Sequence, residues 1–156
     1  MSRPDGPDAT PGPGSPEAGV RGLVLTHGSL CFGLVDAVRK IAGDPGRVLT
    51  PLSNDGRGPR ELEELVRDLT QPGPTIIFAD LGTGSCAVAA RLASRGPGGA
   101  RVLFGVNLAM LLDFVFHRQM PVDDLVERLI EKGRISVGCH RQSASGERGN
   151  RTAPRG

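Results

Sequence analysis

At 156 residues with a formal net charge of +2, the chain has the length of one domain able to bury a sheet on both faces, and it lacks the strong single-sign field that draws nucleic acid. With no Trp, no Tyr and five Phe, it has little from which to build a base-stacking platform for RNA or single-stranded DNA, and no stretch reaches the length of a membrane span. Three cysteines without CxxC or metal-ligand spacing imply neither a disulfide nor a zinc site. With no charged-then-apolar leader, they are expected to be reduced thiols of a cytoplasmic protein.

The 23 Gly and 13 Pro gather at the ends and in loops. Residues 1–19 hold no Leu, Ile, Val or aromatic residue and are expected to be a disordered tail; residues 139–156 have the same character. Arg3 against Asp5, Asp8 and Glu17 gives the first tail −2. Arg141, Arg148, Arg151 and Arg155 against Glu147 give the second +3. The domain between them, residues 20–138, is left with +1, so the basic balance belongs to a solvated tail and marks no nucleic-acid face.

The core opens on Gly22-Leu-Val-Leu-Thr-His27-Gly28, a short apolar run that reads as a buried strand stopped by a histidine and a tight turn. Residues 29–42 follow with helix period. Leu30, Leu34, Val38 and Ile41, with Val35 between them, are expected to form the inward stripe, closed by Gly43 and Pro45. Residues 47–52 read as a second strand, 53–59 as a turn-rich loop, and 60–69 as an amphipathic helix with Leu62, Leu65, Val66 and Leu69 on one side. A third strand, 75–80, ends on Asp80 before the small-residue turn Leu81-Gly-Thr-Gly-Ser85. A helix over about 85–94 is expected next, with Ser85 as N-cap and Val88 and Leu92 inward. Residues 101–104 form the fourth strand, and Gly105-Val-Asn107 turns into a helix over 108–117. The last helix has Pro121 at its start, Asp123 and Asp124 in its first turn, Leu125, Leu129 and Ile130 inward, and Gly133 as its C′ stop, leaving residues 135–137 as a closing edge strand.

Strands alternating with helices of about a dozen residues predict right-handed crossovers and a parallel sheet, hence a three-layer, doubly wound α/β fold. In the flavodoxin-like order 2-1-3-4, strands one and three are neighbours, so His27 and Asp80 lie side by side at the carboxyl edge, where ligands bind in such sheets. A carboxylate on one ring nitrogen fixes the tautomer and leaves the other nitrogen free to attack. The helix start that faces His27 disfavours an imidazolium and welcomes an anion delivered to the ring, which suits a phosphoryl acceptor. Gly82, Thr83, Gly84 and Ser85 are the candidate phosphate cradle, their N–H groups and hydroxyls converging at a second helix start.

Gly82-Thr-Gly-Ser-Cys-Ala87 also fits G-x-G-x-x-A, so a nicotinamide enzyme is a competing reading. Against it, the pattern follows the third strand, and the next strand ends at Phe104 with no acidic residue for a ribose. G-x-x-x-x-G-K-[ST] is absent. Cys86 reads as a small packing residue and His117 as a cap or surface residue. His140 falls in the tail, and Met110 and Met120 fall in core or loop.

Leu25-Thr-His27-Gly28 with Leu34 and its helix, Ala79-Asp80-Leu81-x-x-Gly84-Ser85, and Gly105-Val-Asn-Leu-Ala-Met110 resemble the IIA domain of the mannose family of the bacterial phosphoenolpyruvate:sugar phosphotransferase system, over about residues 20–138. The resemblance implies that His27 accepts a phosphoryl group from the phosphocarrier protein HPr and passes it to a IIB-type acceptor during sugar transport, with no cofactor, metal or nucleotide of its own. Asp80 would orient the ring, Ser85 and the turn amides would hold the phosphoryl oxygens, and Asn107 would lie near the site. A homodimer exchanging residues 135–137 is implied as well. The family's Asp-Leu-Phe-Gly-Gly-Ser-Pro is altered here, with Gly82, Thr83 and Cys86 in place of Phe, Gly and Pro, which bears on the partner surface. Asp80-Leu-Gly82 also resembles the phosphocarrier subunit of the dihydroxyacetone kinase. With one domain expected and no appended IIB segment, a regulatory module that senses phosphorylation of His27 is the rival class.

Overall fold

The computed structural model describes residues 19–43, 48–96 and 99–140. The disorder expected of the two tails falls outside these residues, save for Gly19, Cys139 and His140. Along the described chain run β1 (Arg21–Thr26), α1 (Leu30–Ala42), β2 (Leu49–Ser53), α2 (Pro59–Thr70), β3 (Thr75–Ala79), α3 (Gly84–Ala93), β4 (Arg101–Phe104), α4 (Leu108–His117) and α5 (Val122–Ile135). Each of the first three strands reaches the next through a helix, and such crossovers set strands parallel. The sheet has the order β2-β1-β3-β4 with every pairing parallel, the doubly wound arrangement expected. Leu25 lies opposite Leu52 on one side and Ala79 on the other, so the residues just past β1 and β3 emerge together.

Period-two side chains supply both faces of the sheet. Val24, Ile76 and Phe78 join one apolar cluster with Cys31, Val35 and Val38 of α1, Leu111 and Phe114 of α4, and Leu125 and Leu129 of α5. Leu23, Leu25 and Ile77 join the opposite cluster with Leu62 and Val66 of α2 and the small side chains of α3. Phe78 and Phe114 meet edge to face at 5.2 Å. Burying rings of this size stabilises by roughly 1.5–3 kcal/mol each. That ring pair is possible because residue 22 is glycine: a Cβ there would lie 3.0 Å from Phe114, 3.1 Å from Phe78 and 2.5 Å from Leu49.

Four expectations are corrected. In α1 the buried line is Cys31, Val35 and Val38, while Leu30 and Ile41 are 47% and 62% exposed, because the helix packs on α4 as well as on the strands and its buried face is rotated accordingly. In α3 the buried face is Cys86, Ala87, Ala89, Ala90 and Ala93, small residues that let the helix approach α2 and the sheet, and Val88 points outward. Gly133 does not end α5. The helix runs through it to Ile135, and a Cβ at Gly133 would lie 2.6 Å from the Met110 side chain and 3.2 Å from Asn107, so the glycine serves close helix packing. Ile135 thus ends a helix and Ser136 caps it, so among the described residues 135–137 form no strand where a closing edge strand was expected.

The α4–α5 contact also carries the buried charge. Asp113 accepts two hydrogen bonds from Arg128, at 2.7 and 2.9 Å. His117, left out of the site above, donates from Nδ1 to the Asp113 carbonyl at 2.8 Å, the role of a helix-end residue. None of the described helices is long and apolar enough to cross a membrane.

Candidate functional site

His27 and Asp80 stand immediately after β1 and β3, and the register of those strands brings them together. The carboxylate grips His27 twice. The backbone N–H of His27 donates to Asp80 Oδ2 at 3.0 Å, and ring Nδ1 lies 3.0 Å from Oδ2 and 3.2 Å from Oδ1. A carboxylate oxygen accepts, so Nδ1 carries the proton and Nε2 the free lone pair. Asp80 Oδ1 also accepts from the Leu81 N–H at 2.9 Å. Burial pushes the Asp80 carboxyl up, but hydrogen bonds from the His27 N–H, the His27 ring and the Leu81 N–H outweigh it, so the carboxyl is held below its ordinary value of 3.8. The His27 side chain is 40% exposed and Asp80 13%, an orienting group set behind a reachable ring.

The two helix starts beside this pair differ. At α1, the buried Thr26 hydroxyl accepts from the Cys31 N–H at 2.8 Å, which closes part of that end. At α3, the N-cap residue Thr83 gives no side-chain cap to the first-turn N–H groups. Such first-turn groups are the donors that a helix start offers an anion. Gly84 opens α3 at φ +86°, and a Cβ there would stand 3.4 Å from His27 Nε2 and 3.6 Å from Cε1. The free ring nitrogen therefore faces the open end of α3 across a glycine.

The expected cradle is brought to the ring in part. Gly84 faces Nε2, and Ser85, inside α3 where an N-cap was expected, accepts at Oγ from Asn54 Nδ2 at 3.3 Å. Gly82 lies against the Phe104 ring, and its carbonyl accepts from Arg91, whose guanidinium sits 4.7 Å from the centre of that ring. Thr83 is exposed at the N-cap. Asn107 is bound elsewhere: its Oδ1 accepts from the Met110 N–H at 3.0 Å and the Ser136 hydroxyl at 3.5 Å, so it caps α4 and ties it to α5.

Sequence reasoning missed Asn54. From the loop after β2 it accepts from the Gly28 N–H at 3.2 Å and donates to Ser85, bridging the turn that follows the histidine to the start of α3. Its place just past a strand that neighbours β1 was the available signal; within Ser53-Asn-Asp-Gly it resembled a turn former.

No protein-family model matches the chain, and no curated protein matches it by sequence. Solved structures do match. The phosphotransferase system component EIIA from Streptococcus agalactiae is 23% identical with a TM-score of 0.70, covering 77% of this chain and 96% of its own. The mannose/sorbose-specific IIA subunit from Enterococcus faecalis is 22% identical, also at 0.70, covering 80% and 97%. A IIA protein associated with the fucose utilization operon of Streptococcus pneumoniae is 17% identical at 0.68, covering 78% and 93%. At these identities the likeness is one of fold.

Proposed function

We propose that this chain, sharing the fold of phosphotransferase-system IIA proteins, is a phosphoryl carrier that takes the group from a phosphohistidine donor of the HPr kind onto His27 and passes it to a IIB-type acceptor. The observation that carries the reading is one geometry: a ring held at Nδ1 by Asp80 presents Nε2 to the uncapped start of α3.

In the forward step the Nε2 lone pair forms a bond to phosphorus while the donor's P–N bond breaks, its electron pair returning to the donor nitrogen. The Nδ1 proton stays on the ring, where Asp80 stabilises the positive charge that phosphorylation of Nε2 creates. The first N–H groups of α3 and the Ser85 hydroxyl are placed to receive the phosphoryl oxygens, so the work is positioning and charge stabilisation. The second transfer reverses these roles with the acceptor as nucleophile. Leu30, Phe32, Leu81 and Val88 are exposed apolar side chains on the segments that follow β1 and β3, a surface suited to a transient protein partner. A carrier of this kind acts in the cytoplasm.

The test is incubation with phosphoenolpyruvate, enzyme I and HPr, followed by intact mass and acid lability. One acid-labile phosphoryl group on the wild type and none on folded His27→Ala is the expected result. An unmodified wild type beside phosphorylated HPr would end the reading for this donor.

A further inference from the structure

Phosphoryl transfer leaves one donor in the crevice unused. Cys86, in the first turn of α3, is fully buried, and its Sγ, a His27 ring nitrogen and an Asp80 carboxylate oxygen all lie within 4.8 Å of one another. We propose that His27, Asp80 and Cys86 form a binding site for a divalent cation of the zinc class. His27 stands 53 residues before Asp80 in the chain, which is why no metal spacing is visible along the sequence. Nitrogen, carboxylate oxygen and thiolate sulfur together are the donor set that zinc takes, whereas magnesium and calcium ask for oxygen alone.

Zinc bond lengths of about 2.0–2.3 Å in a tetrahedron set neighbouring donor atoms roughly 3.4–3.8 Å apart. His27 Nδ1 and the Asp80 oxygens, at 3.0 and 3.2 Å, are already near that spacing. Against the 4.8 Å limit, the thiol has at most about 1 Å to close. Binding releases the thiol proton to solvent and moves the ring proton from Nδ1 to Nε2, so the imidazole stays neutral; metal–sulfur, metal–nitrogen and metal–oxygen bonds replace bonds from the ion to water, and no oxidation state changes. Carboxylate and thiolate together cancel the ion's double charge, so the positive end of α3 is not opposed by a net cation. The fourth position falls to water, as in zinc sites with three protein ligands. Resting on the carrier reading, the cation and the phosphoryl group exclude each other, since each needs His27 with Asp80.

The test is titration of the reduced full chain with Co2+, then displacement by Zn2+, reading the thiolate-to-cobalt charge-transfer absorption. Exposed Cys139, whose neighbour is His140, is a competing thiol, so Cys139→Ser is run beside the wild type. One Co2+ per chain with a sulfur band that zinc abolishes is expected in both. Cys86→Ala, which matches its alanine neighbours in size, and His27→Ala, at a part-exposed position, are each expected to lose the band and to weaken zinc binding by roughly 100-fold or more. Either variant suffices should the other fail to fold. No band in folded wild type, or a band that vanishes in Cys139→Ser and survives in Cys86→Ala, overturns the site. The band is read without a phosphoryl donor, so its loss leaves the carrier reading standing.

Discussion

Replacing Gly84 by alanine sets a methyl group where the phosphoryl group has to arrive. The new Cβ would stand 3.4 Å from His27 Nε2 and 3.6 Å from Cε1, on a residue whose φ of +86° side chains rarely adopt. A left-handed backbone costs a non-glycine residue about 1–2 kcal/mol. For a chain of this length that is a fall in Tm of about 2–8 °C. The kinetic effect is larger. A reacting atom waits about 3–3.5 Å from its nucleophile, and a misplacement of about 1 Å costs on the order of 100-fold. Folded Gly84→Ala is therefore expected to accept phosphoryl groups about 100-fold more slowly than wild type, read by intact mass against time with phosphorylated HPr in excess. Gly82→Ala is the comparison in the same loop: its methyl comes no nearer than 3.8 Å to the Phe104 ring, and a cost of no more than about tenfold is expected. A folded Gly84→Ala within about twofold of the wild-type rate would refute approach across the start of α3, and with it the assignment of that turn to the phosphoryl oxygens.

Asp80→Asn keeps the shape of the orienting group but removes its charge, and is expected to slow phosphorylation by about 10²–10⁴, the range seen when such a carboxylate is lost; a rate near wild type would refute the orienting role. The same variant tests linkage. The Asp80 carboxyl is depressed in the fold, so its stabilisation is complete above its ordinary value of 3.8 and is lost as pH falls through the lower folded value. Thermal melts carried from neutral pH into acid are expected to show a flatter acid limb in Asp80→Asn, and an equally steep limb would contradict the depressed pKa. Gly22→Ala forces a methyl against Leu49, Phe114 and Phe78 and is expected to cost about 1–3 kcal/mol of stability, measured by denaturant unfolding; an unchanged midpoint would show that the ring pair yields freely.

The strands, the helices between them and the parallel sheet were legible because they depend on apolar runs, turn glycines and the handedness of crossovers, all of which are written locally; the order 2-1-3-4, and with it the meeting of His27 with Asp80, followed from the arrangement common to flavodoxin-like sheets. The facing of α1 and α3 was not, because the side a helix buries depends on what it packs against. Leu30 and Ile41 share the helical period with Val38, yet α4 takes the face defined by Cys31 and Val35. Gly133 shows the same limit in another form: glycine near the end of a helical pattern serves either as a stop or as a close approach, and the partner that decides, Met110, is 23 positions away in the chain. Asn54 and Cys86 were read as turn and packing residues because their own neighbourhoods say so. Only the closing of three segments over one crevice gives them other company.

The two rims of the sheet are not alike. On β2 the central residue is Pro51, which has no N–H to offer a further strand, so that rim resists extension. On β4 no proline stands in Arg101–Phe104, and the charged side chain of Arg101, paired with Asp123 at 2.7 Å, stands at its start. Any strand that ever adds to this sheet, from a crowded refolding mixture or a second copy, is directed to β4. Aggregation and assembly by strand addition would thus meet at one short edge, and a lysine placed at Val102 is the substitution expected to block both.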